Sequence, residues 1–228
     1  HPGGASLAMW GQLLAILYRD LLSEWRAREV VIGMLVMALL TLLVFNFAFD
    51  LTGAQRAASG SGAFWVAVVF ATLLGLGRMT ARERQDGAWE GLVLAPVERS
   101  VIYVAKLLSM VLFVAIVELV ALVVLAALFD LPVLRPGVLV VLALGTLGLC
   151  ALGTLFSVMT AQAKAREVLL PALLFPLAIP VVIGGVRAMM LELSGAGAEA
   201  APWKSLLGGF AVLFGALSVL TFGVVVEE

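Results

Sequence analysis

Long apolar segments alternate with short polar ones along the whole chain. Six of the apolar segments carry almost no charge, and each is long enough to cross the hydrocarbon core of a membrane as a helix. They cover approximately residues 30–49, 62–77, 101–129, 136–163, 168–186 and 205–226. A bilayer offers no hydrogen bonds to backbone groups, so helices are predicted, and the alternating strands of membrane barrels are absent. The predicted fold class is an all-α integral membrane protein with six transmembrane helices in one domain, residues 9–228.

A polar segment with helical periodicity precedes the first apolar run. Between Leu7 and Arg28, apolar residues recur at helical spacing, and charged side chains occupy the remaining face. This pattern predicts an amphipathic helix that lies in the membrane interface; a soluble helix packed on a partner is the alternative. Residues 1–8 precede a plausible initiating Met9, and we interpret them as a cloning remnant or an upstream extension.

Composition supports a membrane protein and excludes several other classes. The chain is 63% hydrophobic and 13% charged, whereas soluble domains are about half apolar and a quarter charged. The net charge of −1 gives no basis for nucleic-acid binding, and the single cysteine, Cys150, excludes an intrachain disulfide. Most of the 14 lysines and arginines fall on one side of the membrane when the N-terminus is cytoplasmic. Both termini are therefore predicted to face the cytoplasm.

The segment between the second and third apolar runs is the most densely charged part of the chain. Trp89 and Leu92 fall on one helical face, and acidic residues at 83, 86 and 90 fall on another. A solvated connector needs only basic residues, so this mixture favours a short amphipathic helix that docks another protein. The candidate docking residues are Arg82, Glu83, Arg84, Asp86, Gly87, Trp89, Glu90, Leu92 and Pro96.

The chain shows no nucleotide-binding or catalytic signature. The phosphate-binding pattern G-x-x-x-x-G-K-[ST] is missing, and no apolar run carries a paired Asp/Asp, a Ser/His set or an H-E-x-x-H motif. We therefore predict a non-catalytic protein with no catalytic or metal-binding residues. If it works in an ATP-driven complex, a separate subunit must bind the ATP.

Three features inside the apolar runs are candidates for a role in function. Glu118 is a carboxylate deep in the third run, where burial of a charge costs about 2.5–3.5 kcal/mol. Two interpretations remain open. The carboxylate has a role in function, or it faces a partner subunit or interfacial water. Pro171, Pro176 and Pro180 interrupt the fifth run as hinges or as fixed kinks. A stripe of small residues suits close helix packing, either within the chain or at a subunit interface. The stripe lies in and just beyond the fourth run and comprises Gly153, Ser157, Ala161 and Ala165.

A loop is predicted from Arg187 to Trp203, on the side opposite the termini. It contains Met189 and Met190, and methionine can be an axial haem ligand. Loop methionines that simply pack at the interface are the favoured interpretation, because histidine is absent beyond His1. We therefore predict no cofactor bound by this chain.

Three sequence blocks resemble CcmB, the permease-type subunit of the haem exporter of cytochrome c maturation. They are YRDLLSEWRAREV (18–30), RERQDGAWEGLVLAPVERSVIYVAKLLS (82–109) and GTLGLCALGTLFSVMTAQAKAREVLLPALLFPLAIPVVIGG (145–185). Together with the runs between them, they cover nearly everything from Met9 onward. The resemblance implies a six-span permease of the ABC exporter type, with an interfacial entry helix and a cytoplasmic coupling helix between spans two and three.

The resemblance also implies partners and cargo. A CcmA-type ATPase binds the ATP and docks on the coupling helix, CcmC and CcmD are membrane partners, and haem reaches the chaperone CcmE as cargo of the complex. The same fold with another cargo, such as a lipid, polysaccharide or drug, remains an alternative, as does a pure assembly factor. Two mechanisms are possible for the complex. Haem passes through this subunit, or ATP hydrolysis drives the release of haem-loaded CcmE through CcmC. The second is favoured, because nothing in the sequence marks a wide polar conduit.

Overall fold

A computed structural model describes residues 13–18, 28–49, 54–85, 99–160, 163 and 165–225. Within these residues, six helices are long and apolar enough to cross a membrane, which confirms an all-helical fold with six spans. A single 3₁₀ turn, Gly197–Ala200, separates the last two. The helices are α1 (Glu29–Ala48), α2 (Ala54–Gln85), α3 (Arg99–Phe129), α4 (Pro136–Met159), α5 (Arg166–Ser194) and α6 (Ala201–Val225).

Helix α4 is the centre of the bundle. Along this helix 72% of its apolar window is buried within the protein, against 22% for α1 and 11% for α6. Helix α4 packs against α2, α3, α5 and α6, whereas the main contacts of α1 among the described helices are with α2 and α3. The outer helices present apolar side chains such as Val44 and Leu220 outward, as expected for surfaces in contact with lipid.

Helix α2 is longer than the apolar run that predicts it. The run covers residues 62–77, but the helix extends from Ala54 to Gln85. Small residues allow the early part to pack closely: a Cβ on Gly60 would lie 2.9 Å from Leu131. At the other end, the helix continues past Arg78, because an exposed arginine at the membrane boundary does not stop a helix.

Helix α5 also extends beyond its predicted end, and the loop predicted from Arg187 to Trp203 is wrong. The helix continues to Ser194, and α6 begins only seven residues later, at Ala201. Arg187 lies on the exposed side, while Ala188, Met189 and Leu193 continue the buried face. The helix ends at Gly195, where a φ of 88° allows the amides of Gly195 and Ala196 to bond to the carbonyls of Glu192 and Leu191.

Helix α4 ends earlier than its apolar run suggests. The run continues to residue 163, but the helix ends at Met159, where the Thr160 amide and hydroxyl both bond to the Phe156 carbonyl. Ala165 therefore lies outside α4, in the turn before α5, and is exposed. Of the stripe predicted in and just beyond the fourth run, Gly153 and Ser157 lie in α4, and Ala161 lies outside the described residues.

The predicted entry helix, Leu7–Arg28, is described only over residues 13–18 and at Arg28. Residues 13–18 are helical, and Ile16 is buried against Ile102 of α3 and Leu155 of α4. This short stretch is thus attached to the end of the bundle where α3 begins and α4 ends.

Candidate functional site

The charged segment, residues 82–96, begins in the last turn of α2 and is only partly described. The backbone of Arg82, Glu83 and Arg84 is helical. The other candidate docking residues, Asp86, Gly87, Trp89, Glu90, Leu92 and Pro96, lie outside the described residues. Since α2 is one continuous helix of 32 residues, the segment is connected directly to the interior of the bundle.

Glu118 lies inside the bundle, only 3% exposed, on the face of α3 that packs against α4. Thr146 Oγ1 donates a hydrogen bond of 2.5 Å to Glu118 Oε1. The carboxyl is thus directed toward α4 and not outward toward a partner or the solvent. A hydrogen bond between side chains at this depth holds α3 and α4 together, because lipid offers neither group another partner.

Trp65 of α2 fills the space between α4 and α5. Its indole is fully buried, and a Cβ on Gly145 of α4 would lie 2.0 Å from its Cη2 atom. A Cβ on Gly185 of α5 would lie 2.3 Å from its Cε2 atom. Both glycines are therefore required for three helices to meet around one large aromatic ring.

The contact between α2 and α4 continues toward the charged segment. Thr80 Oγ1 and Ser157 Oγ lie 2.5 Å apart in a hydrogen bond, and a Cβ on Gly153 would lie 2.4 Å from Leu76. Of the predicted small-residue stripe, these two members pack within the chain, against the part of α2 that leads to the charged segment.

The three prolines lie within an unbroken α5. Pro176 and Pro180 are on the exposed side of the helix, and Pro171 is half-buried. Leu174 and Ala178, between them, face the core. Each proline lacks the amide that would bond to the carbonyl four residues earlier, so this stretch of α5 has fewer hydrogen bonds than an ordinary helix.

Sequence reasoning missed a polar contact among α3, α4 and α6. The carbonyl of Ala151 accepts hydrogen bonds from Tyr103 Oη at 3.1 Å and from Ser218 Oγ at 3.4 Å. Tyr103 and Ser218 are both fully buried. No pattern in the sequence pairs residues so distant along the chain.

A second missed feature is a half-buried ion pair at the other end of the bundle. Lys204 Nζ of α6 bonds to the carboxylate of Glu192 of α5, and Arg135 Nη1 bonds to the Glu192 carbonyl. Two glycines make room for the carboxylate, since a Cβ on Gly137 would lie 2.0 Å from Oε2 and one on Gly197 would lie 2.9 Å from it. Glu192 falls within the segment from Arg187 to Trp203 that was predicted as a loop, where a carboxylate is expected, so no pattern in the sequence marked this pair.

Two cavities lie one after the other along the contact between α2 and α5. The first, about 300 Å³, is lined by residues of α2 from Leu73 to Ala81 and by Leu170 and Pro171 of α5. The second, about 290 Å³, is lined by residues of α2 from Val66 to Phe70 and by residues of α5 from Phe175 to Ile183. Phe70 and Phe175 meet edge to face between the two cavities, with ring centroids 6.0 Å apart.

Comparison with known proteins gives consistent matches. The model of the family described as CcmB protein matches residues 11–227. Heme exporter protein B of Pseudomonas aeruginosa is 34% identical over 135 residues, 59% of this chain and 60% of that protein. The protein of the same name from Rhodobacter capsulatus is 32% identical over 176 residues, 76% of this chain and 80% of that protein.

A third relative extends the similarity over more of the chain. Heme exporter protein B of Bradyrhizobium diazoefficiens is 27% identical over 197 residues, 85% of this chain and 88% of that protein. The chain thus spans less than two thirds of the Pseudomonas relative and more than two thirds of the other two.

Proposed function

The chain belongs to the CcmB family, and we propose that it is the membrane subunit of an ABC-type haem exporter acting in cytochrome c maturation. The observation that carries this proposal is the family match over residues 11–227, on a chain with six spanning helices. The names of three relatives, each a heme exporter protein B, support haem as the cargo of the complex. On this proposal the protein lies in the bacterial inner membrane with both termini in the cytoplasm.

In the proposed complex, a separate CcmA-type subunit binds and hydrolyses ATP. It docks on the charged segment that follows α2, where the acidic and basic side chains pair with its surface and Trp89 and Leu92 pack on it. This division of labour is supported by the continuity of α2. The helix runs from Gln85 to Trp65 without a break, a distance of about 30 Å at 1.5 Å per residue. A displacement of the docking segment therefore reaches the middle of the membrane through one stiff element.

The protein acts mechanically in this proposal and does not itself conduct haem. It passes the conformational change to CcmC, with CcmD as a further membrane partner, and the complex releases haem-loaded CcmE. The packing around Trp65 supports this division, because the space among α2, α4 and α5 is filled by the indole ring. Met189, which sequence reasoning placed in a loop, is fully buried in α5 and packs with apolar neighbours.

Affinity purification from native membranes in mild detergent tests the composition of the complex. We expect mass spectrometry to identify an ATPase together with CcmC and CcmD. Recovery of an ATPase with different membrane proteins would support a permease subunit that serves another cargo. Absence of any ATPase, under conditions that preserve other membrane complexes, would refute the proposal.

Charge reversal tests the docking segment. Asp86→Lys and Glu90→Lys should each reduce recovery of the ATPase, because they place positive charge where the segment presents carboxylates. Glu199→Lys is the matched control: it makes the same reversal at an exposed position in the 3₁₀ turn between α5 and α6. Equal ATPase recovery with all three variants would show that the ATPase docks elsewhere.

A further inference from the structure

Glu118 lies deep in the membrane with a single hydrogen-bond donor. The third span begins at Ser100 and ends at Phe129, so Glu118 is about 27 Å of helix from one end and about 17 Å from the other. Within the described part of the chain, its one hydrogen bond comes from Thr146. An ionised carboxylate with one donor and no cation beside it is costly at this depth, whereas the protonated acid carries no charge.

The charged side chains on the helices around α3 are far from Glu118. The main contacts of α3 are with α1, α2, α4 and α6, and α4 contains no charged residue. On the other three, the charged side chains that the structure describes lie within about two turns of a helix end. They are Glu29 of α1, Arg56 and Arg78 of α2, and Lys204 of α6. On α3 itself, Lys106 is separated from Glu118 by about 18 Å of helix. The titratable group that faces Glu118 from α4 is Cys150, one turn from Thr146, and a thiol is neutral near pH 7.

A row of polar side chains leads from Glu118 to the end of the bundle where the charged segment begins. Beyond Thr146, polar side chains recur at every third or fourth residue of α4 and at its C-cap, so they lie along one side of the helix. They are Cys150, Thr154, Ser157 and Thr160. All are buried, and the row extends over about 21 Å. In the opposite direction, the residues of α3 after Glu118 and those of α4 before Thr146 are apolar or glycine.

Two buried hydroxyls beside or within this row have no protein partner. Thr154 Oγ1 of α4 and Thr72 Oγ1 of α2 form no hydrogen bond with the described residues. Thr72 lies on the face of α2 that contacts α4, because Trp65 and Leu76 on either side of it pack on glycines of α4. Ser61 Oγ and Trp65 Nε1 also lack partners among the described residues, but there the indole fills the space among α2, α4 and α5. A buried hydroxyl without a partner is costly, and water is the usual ligand of such groups in protein interiors. The space between α2 and α4 is therefore suited to water that carries a proton.

We propose that Glu118 is a proton-binding site, which exchanges its proton along the polar row of α4 with water at the end of the bundle where α4 ends. Uptake forms an O–H bond on the carboxylate with a proton delivered by water. Release breaks this bond and returns the proton to water, so no oxidant or other reactant is consumed. A metal ion is a less suitable ligand, because the described residues contain no group of three histidine, cysteine, aspartate or glutamate side chains that could hold one.

The row is connected to the part of α2 that leads to the charged segment. Ser157, a member of the row, is hydrogen-bonded to Thr80 of α2. A displacement of the charged segment therefore reaches the row directly, and proton exchange at Glu118 becomes a step of the transport cycle. The proposal rests on the proposed function for this trigger alone. Proton binding itself is measured without ATP and without an ATPase.

The experiment records infrared spectra of the full-length protein in lipid vesicles at neutral pH while light water is replaced by heavy water. A protonated carboxyl group gives a carbonyl band separate from those of carboxylates and amides, and the band shifts when deuterium replaces the proton. We expect such a band in the wild type, absent from Glu118→Gln and displaced in Thr146→Val, which removes the hydrogen-bond donor. Because Thr146→Val retains the acid, it identifies the band even if Glu118→Gln does not fold.

A substitution within the row tests the path of exchange. Thr154→Val removes an unpartnered hydroxyl and keeps the shape of the side chain, so we expect deuterium to reach Glu118 about tenfold more slowly. Thr41→Val is the matched control, because it makes the same change on α1, whose main contacts do not include α4. This variant should exchange at the wild-type rate.

Three results would overturn the proposal. Absence of the carbonyl band from the wild type would show that Glu118 is ionised. A band that never shifts in heavy water would identify a fixed acid that serves packing alone. Equal exchange rates in the wild type, Thr154→Val and Thr41→Val would show that the proton does not follow the row. Each of these results leaves the ATPase partnership untouched, so failure here is distinguishable from failure of the proposed function.

Discussion

Thr146 of α4 donates a hydrogen bond to the buried carboxyl of Glu118 of α3, with 2.5 Å between the two oxygens. Both residues lie well inside their helices, so the bond joins α3 and α4 near the middle of the membrane. Neither side chain can be removed without leaving the other with an unmet polar group inside the bundle. Substitution of Thr146 therefore tests the contribution of the bond to stability, and substitution of Glu118 tests its contribution to function.

Thr146→Val keeps the shape of the side chain and removes the donor. We expect the protein to lose about 1 kcal/mol of stability, because the Glu118 carboxyl then lacks a partner. Thermal unfolding in detergent measures the change. Thr41→Val is the control, since the Thr41 hydroxyl bonds only to a backbone carbonyl of its own helix, at Met37. Equal decreases in unfolding temperature for the two variants would show that the bond between Thr146 and Glu118 stabilises the protein no more than a bond within one helix.

Glu118→Gln tests function at the same place. The amide oxygen still accepts the hydrogen bond from Thr146, so we expect the complex to assemble normally while the yield of mature cytochrome c decreases. The yield is measured in cells that carry the variant as their only copy, and assembly is measured by purification. A wild-type yield would restrict Glu118 to a structural role.

The close contacts of Trp65 predict that a single methyl group is destabilising. Gly145→Ala and Gly185→Ala each place a Cβ where the indole already lies, and overpacking of this kind costs about 1–3 kcal/mol. Gly62→Ala, with nothing within 4 Å of its Cβ position, should not destabilise the protein, because alanine favours a helix over glycine by about 1 kcal/mol. Combining Gly145→Ala with Trp65→Leu should restore part of the lost unfolding temperature. Additive losses in the double variant would contradict the contact.

The ion pair between Glu192 and Lys204 predicts a non-additive effect. Lys204→Met leaves the Glu192 carboxylate, which is only 10% exposed, without its partner. We expect the free energy of unfolding to fall by about 2 kcal/mol. The loss is smaller than for a fully buried pair, because Lys204 itself is partly exposed to solvent. The double variant Glu192→Gln/Lys204→Met should be more stable than Lys204→Met alone. The control is Asp130→Asn, which breaks the exposed pair with Arg56 and should leave the unfolding temperature unchanged.

The prolines of α5 can be tested as hinges. Pro176→Ala restores a backbone donor on the exposed side of the helix, so it should raise the unfolding temperature. If bending of α5 belongs to the working cycle, the same variant should lower the yield of mature cytochrome c. Pro202→Ala is the control, because Pro202 lies in the first turn of α6, where proline is readily tolerated. Greater stability with unchanged yield would identify a fixed kink.

The membrane architecture could be predicted from the sequence because each span is a long apolar run with few or no charged residues. The ends of the helices were less predictable, since polarity marks where a helix leaves the apolar core and not where it stops. Arg187 was interpreted as the start of a loop, yet it lies on the exposed side of a helix that continues to Ser194. Burial of Ala188 and Met189 by neighbouring helices determines that continuation, and a local window contains no information about it.

The interior contacts were predictable only in part. Glu118 was recognisable, because a carboxylate within an apolar run is rare. Its partner Thr146 was not, since threonine is common in apolar runs and the pairing depends on how α3 and α4 pack. Likewise, Gly145 and Gly185 are ordinary glycines in the sequence, and only the position of Trp65 shows why a side chain cannot replace them.

The position of Trp65 along α2 gives the helix two unequal arms. About 30 Å of helix lies between Trp65 and Gln85, and about 16 Å lies between Trp65 and Ala54, at 1.5 Å per residue. On the longer arm, α2 is held by α4, through Leu76 against Gly153 and the Thr80–Ser157 hydrogen bond, while the two cavities separate it from α5. At Trp65 it is held by α4 and α5 together. A force applied at the Gln85 end is therefore carried first by α4 and reaches α5 only at the indole, about 30 Å further along the helix.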